Sequence, residues 1–553
     1  MNVNWLLAGA AALPIIIVGV LMVGRNWPAS RAMPVGWLTA AVIAAIWWDM
    51  PFSWISAATL AGLIEALNIL IIVFGAVLIL RLITRSGGLA SISGSMASIS
   101  ADRRVQVLLI GWLLVCFLEG AAGFGTPAAV AAPLLVGLGF PPLIAVTTAL
   151  VANSTAVTFG AVGVPIWGGF EPVRNLVGLP PAGFTEYLRE IGAFSGVLHF
   201  AIGTFIPLAV VSLLTRFSEG SFKQGLRVWP LAIFAGLSFT IPMVLIATLV
   251  GFELPSLLGS LIALPVFILA VSRRFLVPKD TWEFPPRESW PDDWEGEIKA
   301  GTGANLAESR IRPWKAWLPY VLVGAILLLT RLEIFGLVPI LQGYRLEWDG
   351  ILGTTITRGI APLYNPGIIP FILVALIIPL LHGLGRRETL QAWRETFRLV
   401  LPAAIALFFT LGMVFILINS GEPADRDSML IVMASAAAAI AGGAWYMVAP
   451  LVGELGTFIS GSNTVSNIMF GAFQLDTAGQ AGLPSVPVLA AQAVGGAAGN
   501  MICIHNVVAV LTTVGLLGRE GKIVIRNLPV ALGYALAAGA ITWAIAALAP
   551  GFG

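Results

Sequence analysis

The feature that most constrains this chain is the recurrence of long apolar stretches, many of 16 to 26 residues, that hold no Lys or Arg. A helix needs roughly 20 apolar residues to cross the hydrocarbon core of a bilayer. Backbone groups at that depth have no water to bond, so such stretches must satisfy their own hydrogen bonds, as helices do. Composition agrees, because charged residues make up only 10% of the chain, against about 25% in soluble domains. The expected fold is an all-α polytopic membrane protein with about 12–14 transmembrane helices.

Spans are expected at 5–24, 35–48, 55–80, 105–118, 143–166, 191–215, 228–250, 257–272, 317–330, 363–384, 399–420, 428–449, 485–517 and 528–549. The first run could pass for a secretory signal. However, residues 1–4 bring no basic group and the run is long enough to span, so it reads as a membrane helix. Cys116 and Cys503 fall in apolar segments and suggest neither a disulfide framework nor a metal site.

All 30 Lys and Arg residues lie between these spans, and assigning them to alternate sides gives 24 against 6. Without the long 273–316 loop, which carries 8 basic and 8 acidic residues, the ratio is still 16 to 6. The basic-rich side is then cytoplasmic by the positive-inside rule. Both termini are expected outside.

Most acidic residues share the polar loops, and Asp476 sits in a short connection, which leaves Glu65, Glu119 and Glu454 in apolar surroundings. A carboxylate at membrane depth is costly unless protonated, paired or hydrated, so each marks a functional site or an interfacial position. Glu119 and Glu454 also open unusual sequences, FLEGAAGFGTP (117–127) and GELGTFISGSNT (453–464). Gly and Pro weaken a helix interior. Irregular backbone survives at membrane depth only where it lines a cavity or is buried in protein. Both segments are therefore expected to form re-entrant hairpins whose tips meet near the midplane.

Each expected hairpin is followed by a polar break, Asn153-Ser154-Thr155 after the first and Asn500 with His505-Asn506 after the second. The order repeats at an offset of about 335 residues with low identity. The first unit starts beside Arg103 and Arg104, the second beside Asp425 and Asp427, so they enter from opposite faces. That is the pattern of inverted-topology repeats.

No Lys or Arg falls inside an expected span, so an anion there would depend on half-helix N-termini, free backbone N–H groups and neutral side chains. Gly125, Thr126, Asn153, Ser154, Thr155, Ser460, Ser462, Asn463, Thr464 and Asn500 are the candidate binding residues. Glycines 123, 125, 456 and 461 would let the backbone approach a ligand. Such a site suits a compact monoanion. Proton coupling needs a titrating group nearby, and Glu119, Glu454, His505 and Glu65 are the candidates. His199 and His382 lack polar neighbours in sequence and read as packing or interfacial residues. The small-residue run 495–499 reads as a close helix contact.

At these positions the chain resembles the L-lactate permease family, also described as lactate/glycolate permeases. The resemblance is carried by FLEGAAGFGTPAAVAAPLLVGLGFPPLIAV (117–146), VANSTAVTFGAVGVPI (151–166), GELGTFISGSNTVSNIMFGAFQ (453–474) and VGGAAGNMICIHNVVAVLTTVGLLGREG (494–521). It implies import of L-lactate, D-lactate or glycolate by proton symport across a bacterial cytoplasmic membrane. It also implies paired hairpins with Ser-Asn-Thr motifs at the substrate site, which Ser462-Asn463-Thr464 matches. Gly125-Thr126-Pro127 holds the other tip without an Asn, which weakens the expectation of a symmetric ion site. The Trp-rich loop 282–317 is outside that pattern.

On this reading the chain divides into N-terminal helices (1–104), a first repeat with its hairpin near 119–142 (105–272), a polar cytoplasmic loop (273–316), linking and second-repeat helices (317–427) and a second hairpin with the C-terminal helices (428–553). The expected partners are a small 2-hydroxy monocarboxylate, a proton and lipid. No cofactor, nucleic acid or enzymatic chemistry is indicated, and a homodimer is left open. A sodium-coupled carboxylate symporter is the alternative within transport. A haem subunit would need paired intramembrane His, which the three scattered histidines do not offer. A channel fits paired broken segments less well than alternating access does.

Overall fold

The computed structural model describes residues 4–548 apart from 26, 124, 296–299, 301–310 and 366. Among these residues, 12 helices are long and apolar enough to cross a membrane. A further pair, Pro142–Ala152 and Val157–Val173, is bent by 66° at a short break. The polytopic all-α expectation therefore holds, with one small exception. The 331–366 connection carries an antiparallel pair of strands, Leu346–Trp348 and Arg358–Ile360, with Glu347 opposite Gly359.

Helices overrun the expected spans because backbone hydrogen bonding does not stop at the headgroups. Phe52–Arg85 and Arg386–Asn419 are each 34 residues long, roughly 50 Å at 1.5 Å per residue. Arg81, Arg85 and Arg394 therefore lie on helices rather than in loops. Their charged ends pair outside the apolar zone, as Arg85 does with Glu395. The expected 363–384 span is a shorter element, Gly367–His382.

Position in the bundle follows composition. Every residue from Arg104 to Gly123 is buried, as expected for an apolar helix with no polar face. Trp5–Gly24 and Glu520–Leu548 keep many exposed large hydrophobics, which suits contact with lipid. Close approaches fall at glycines. A methyl on Gly453 would lie 2.8 Å from the Gly496 nitrogen, and one on Gly120 2.6 Å from the Ser256 carbonyl carbon. Small residues allow such contacts where apolar burial alone gives helices no preference for each other over lipid. The run Gly495 to Gly499 lies against Pro450, Asn463 and Glu454 in this way.

The 281–295 part of the polar loop packs across several helix ends. Trp282 donates its indole N–H to Glu219 at 2.9 Å and its main-chain N–H to Asp102 at 3.2 Å. Leu143 N–H donates to the Trp294 carbonyl at 3.1 Å. Much of the rest of that loop lies outside the described residues.

Candidate functional site

Two local backbone reversals create the site. Val115–Ala121 ends where Gly123 and Gly125 take left-handed φ of +60° and +72°, and Thr126–Gly137 then begins with Pro127 in its first turn. Glycine takes that conformation without a Cβ penalty, and proline in the first helical turn gives up an N–H that has no intrahelical partner there anyway. Thr126 Oγ1 closes the turn by donating to the Gly123 carbonyl at 2.7 Å. In the other half, Trp445–Ser460 ends at Gly461, with φ +84°. Ser462 is extended and caps Asn463–Ala481 by accepting from Val465 N–H.

These two reversals face one cavity of about 310 Å³ including its open mouth. Glu119, Gly123 and Gly125 line it from one break, and Gly461 through Thr464 from the other. Asn500 and the 157–165 segment complete its wall. No Lys or Arg is among the described lining residues. Two helix N-termini, at Thr126 and Asn463, thus open beside the same space, where unpaired N–H groups and the helix dipole favour an anion.

Neutral side chains frame that space. Asn463 donates to the Ala493 carbonyl at 3.0 Å, and its Oδ1 has no partner among the described residues. Asn500 donates to the Asn153 carbonyl at 2.9 Å and accepts from Asn506 at 2.5 Å, tying the two expected polar breaks together. Glu119 is 4% exposed, with Oε1 turned toward Gly123 and Gly160 and the Asn153 side chain beside its carboxyl.

Other candidates do not line this cavity. Asn153, Ser154 and Thr155 are fully buried behind the cavity, with Ser154 Oγ donating to the Val151 carbonyl at 2.8 Å. Thr126, Ser460 and His505 line an adjacent cavity that also touches Ser462. Glu454 is buried but does not line the tip cavity. Gly456 packs against Ser466 and Phe470 instead of facing a ligand. Glu65 is 1% exposed and accepts from Asn68 at 3.5 Å, in a separate charged cluster with Glu171, Arg174 and Arg358.

Three features escaped the sequence reading. Ala161 and Val162 join Gly163 in a left-handed run, φ +42°, +59° and +75°. Non-glycine residues held there are strained by about 1–3 kcal/mol each, and such strain gathers at functional sites. Only Gly163 and Pro165 hint at it in the sequence. His199 is fully buried, bonded to Tyr534 at 2.6 Å and Thr158 at 2.7 Å. Its partners lie 335 and 41 residues away, so no local pattern could announce them. Finally, Arg174, Arg331 and Arg358 belong to connections read as outer loops, yet Arg331 and Arg358 are buried and Arg174 is half-buried.

Comparison with known proteins identifies the family. A family model described as L-lactate permease matches residues 8–549. A Haemophilus influenzae relative is 31% identical over 93% of this chain and 94% of its own length. The L-lactate permease of Bacillus subtilis is 27% identical over 88% of this chain and 86% of its own. The glycolate permease GlcA of Escherichia coli is 28% identical over 96% and 94%.

Proposed function

The chain belongs to the L-lactate permease family, and from that premise we propose that it imports L-lactate, D-lactate or glycolate together with protons. It is a bacterial multi-pass inner-membrane transporter, not an enzyme. The observation that carries the finer reading is the convergence of both backbone breaks on one cavity free of basic side chains. Relatives named for lactate and for glycolate both align over most of their length.

In this proposal the substrate carboxylate lies between the N-termini at Thr126 and Asn463. Ser462, Asn463, Thr464 and Asn500 donate to it, and the small cavity limits its size. Glu119 shares the cavity, and like charges repel there. The anion therefore loads with a proton on Glu119, and the pair crosses with no net charge. Glu454, His505 and Glu65 are the other candidate proton groups, with only indirect access to that space.

We also propose that the two halves are inverted-topology repeats, each with a re-entrant hairpin. Support comes from pairs of positions 335 apart, the offset that relates Glu119 to Glu454. Thr158 donates to the Ala493 carbonyl and His199 bonds Tyr534, and both pairs have this separation. Equivalent positions of two repeats touch where a pseudo-two-fold axis passes between them.

Sodium coupling is the alternative, favoured by the oxygen-rich Ser460–Asn463 turn. Uptake of labelled lactate, measured with sodium replaced by choline at fixed pH, separates the two. Proton symport predicts no change. Loss of uptake in choline would replace it with the sodium reading. A flux that neither saturates nor shows counterflow would reject a carrier altogether.

A further inference from the structure

A second cavity, of about 770 Å³ including its mouth, lies on the other side of the strained 160–167 segment. Gly160, Ala161 and Pro165 face the tip cavity, whereas Val162 and Trp167 face this one. Charge sorting places the connections that wall it, 171–190 and 331–362, outside. Unlike the tip cavity, it is lined by arginines: Arg174, Arg331 and Arg345.

Each of these guanidiniums lies against a carboxylate. Arg331 Nε lies 3.0 Å from Glu253, Arg345 Nε 3.0 Å from Glu347, and Arg174 pairs with Glu171 through Nε and Nη2. Arg331 is further fixed by the Tyr364 carbonyl at 2.6 Å and by stacking 3.8 Å from the Tyr364 ring. A guanidinium has five N–H donors, so each keeps terminal donors beyond its carboxylate. The Nη groups of Arg345 have no hydrogen-bond partner among the described residues, and its side chain is 34% exposed. The carboxylates orient the arginines and cancel much of their charge. A chamber built this way holds an anion briefly rather than tightly, as a transit site must.

From this arrangement we infer that the chamber is an outer docking site for the same 2-hydroxy monocarboxylate, occupied before the anion reaches the tips. The substrate carboxylate meets Arg345 and Arg331, and its hydroxyl donates to Glu171 or Glu253. Both polar ends of a 2-hydroxy acid thus find partners, whereas a halide uses only the arginines. The inference rests on the carrier reading above for the identity of its ligand.

The test uses the full chain in right-side-out membrane vesicles, with Thr185→Cys on the chamber wall as reporter; both native cysteines are buried. A charged, membrane-impermeant maleimide labels the new thiol from outside, and lactate is added at increasing concentration against equal chloride. Lactate is expected to slow labelling and chloride to have little effect. The protection is expected to persist with Asn463→Ala, which disables the tips, and to need at least fivefold more lactate with Arg345→Gln. Arg345→Lys should recover part of it, and its expression level checks folding. No labelling, equal protection by chloride, protection lost with Asn463→Ala, or protection unchanged by Arg345→Gln would each overturn the outer site. Lactate uptake by the parent chain is measured in parallel. Uptake without protection sinks the docking site alone, whereas no uptake of any hydroxy acid sinks the carrier reading and this site with it.

Discussion

Glu119 and Glu454 look equivalent in sequence, each opening a glycine-rich break, yet only Glu119 lines the cavity at the tips. Glu119 stands four residues before Gly123 and Glu454 seven before Gly461, so Glu454 lies about one helical turn further from its break. Glu119→Gln is expected to abolish proton-driven lactate accumulation while leaving lactate exchange nearly intact. Glu454→Gln should have a smaller effect on accumulation, and equal loss in both assays would assign either residue to binding or folding. Asn463→Ala removes a donor beside the ligand and leaves the Ala493 carbonyl with one partner fewer. Losing one such buried hydrogen bond costs about 1–3 kcal/mol, so KM for lactate should rise about tenfold or more in steady-state uptake. The Ser-Asn-Thr turn was legible because its residue types are wrong for an apolar helix. His199 was not, since its partners come from other helices.

At the scale of elements, the broken segments were legible because Gly and Pro interrupt apolar runs, and that signal is local. Helix lengths were less so, since charged turns continue helices past the apolar zone, as Arg386–Asn419 does. The left-handed run at 161–163 was hidden because Ala and Val ordinarily signal regular structure. Helix contacts at glycines make a direct prediction. Gly453→Ala would press a methyl to 2.8 Å from the Gly496 nitrogen. Overpacking of this kind costs about 1–3 kcal/mol, so the thermal midpoint of the purified protein should fall. Gly479→Ala meets nothing within 4 Å on its helix, and should leave the midpoint unchanged or raise it slightly through helix propensity of up to about 1 kcal/mol. A fall of equal size in both would mean that the glycine contacts do not govern packing.

Across the whole molecule, the polytopic class followed from the spacing of charges, whereas the buried arginines did not. Arg331 and Arg358 became visible only once the outer connection folded back over Glu65, Asn68 and Glu253. On the opposite side, the 281–295 segment binds separate elements together, partly through Lys522 and Asp293 at 2.6 Å. The hydrogen bond from Lys522 holds the Asp293 carboxyl below the usual carboxylate range. A depressed carboxyl stabilises the fold above its ordinary value of about 4 and loses that contribution as pH falls through its lowered value. The pair is partly exposed, so the effect is under about 1 kcal/mol. Hydrogen exchange in 281–295, corrected for intrinsic rate, should therefore rise on acidification below about pH 4 in the wild type. In Lys522→Ala it should be faster already at neutral pH and respond less to acid. The central claim, that an anion and a proton load together between two converging helix N-termini, is tested most directly in proteoliposomes carrying labelled lactate or glycolate outside and an imposed inside-alkaline gradient. Transient accumulation above the external concentration is expected in the wild type, and none in Glu119→Gln; equilibration without accumulation in the wild type would contradict coupled loading.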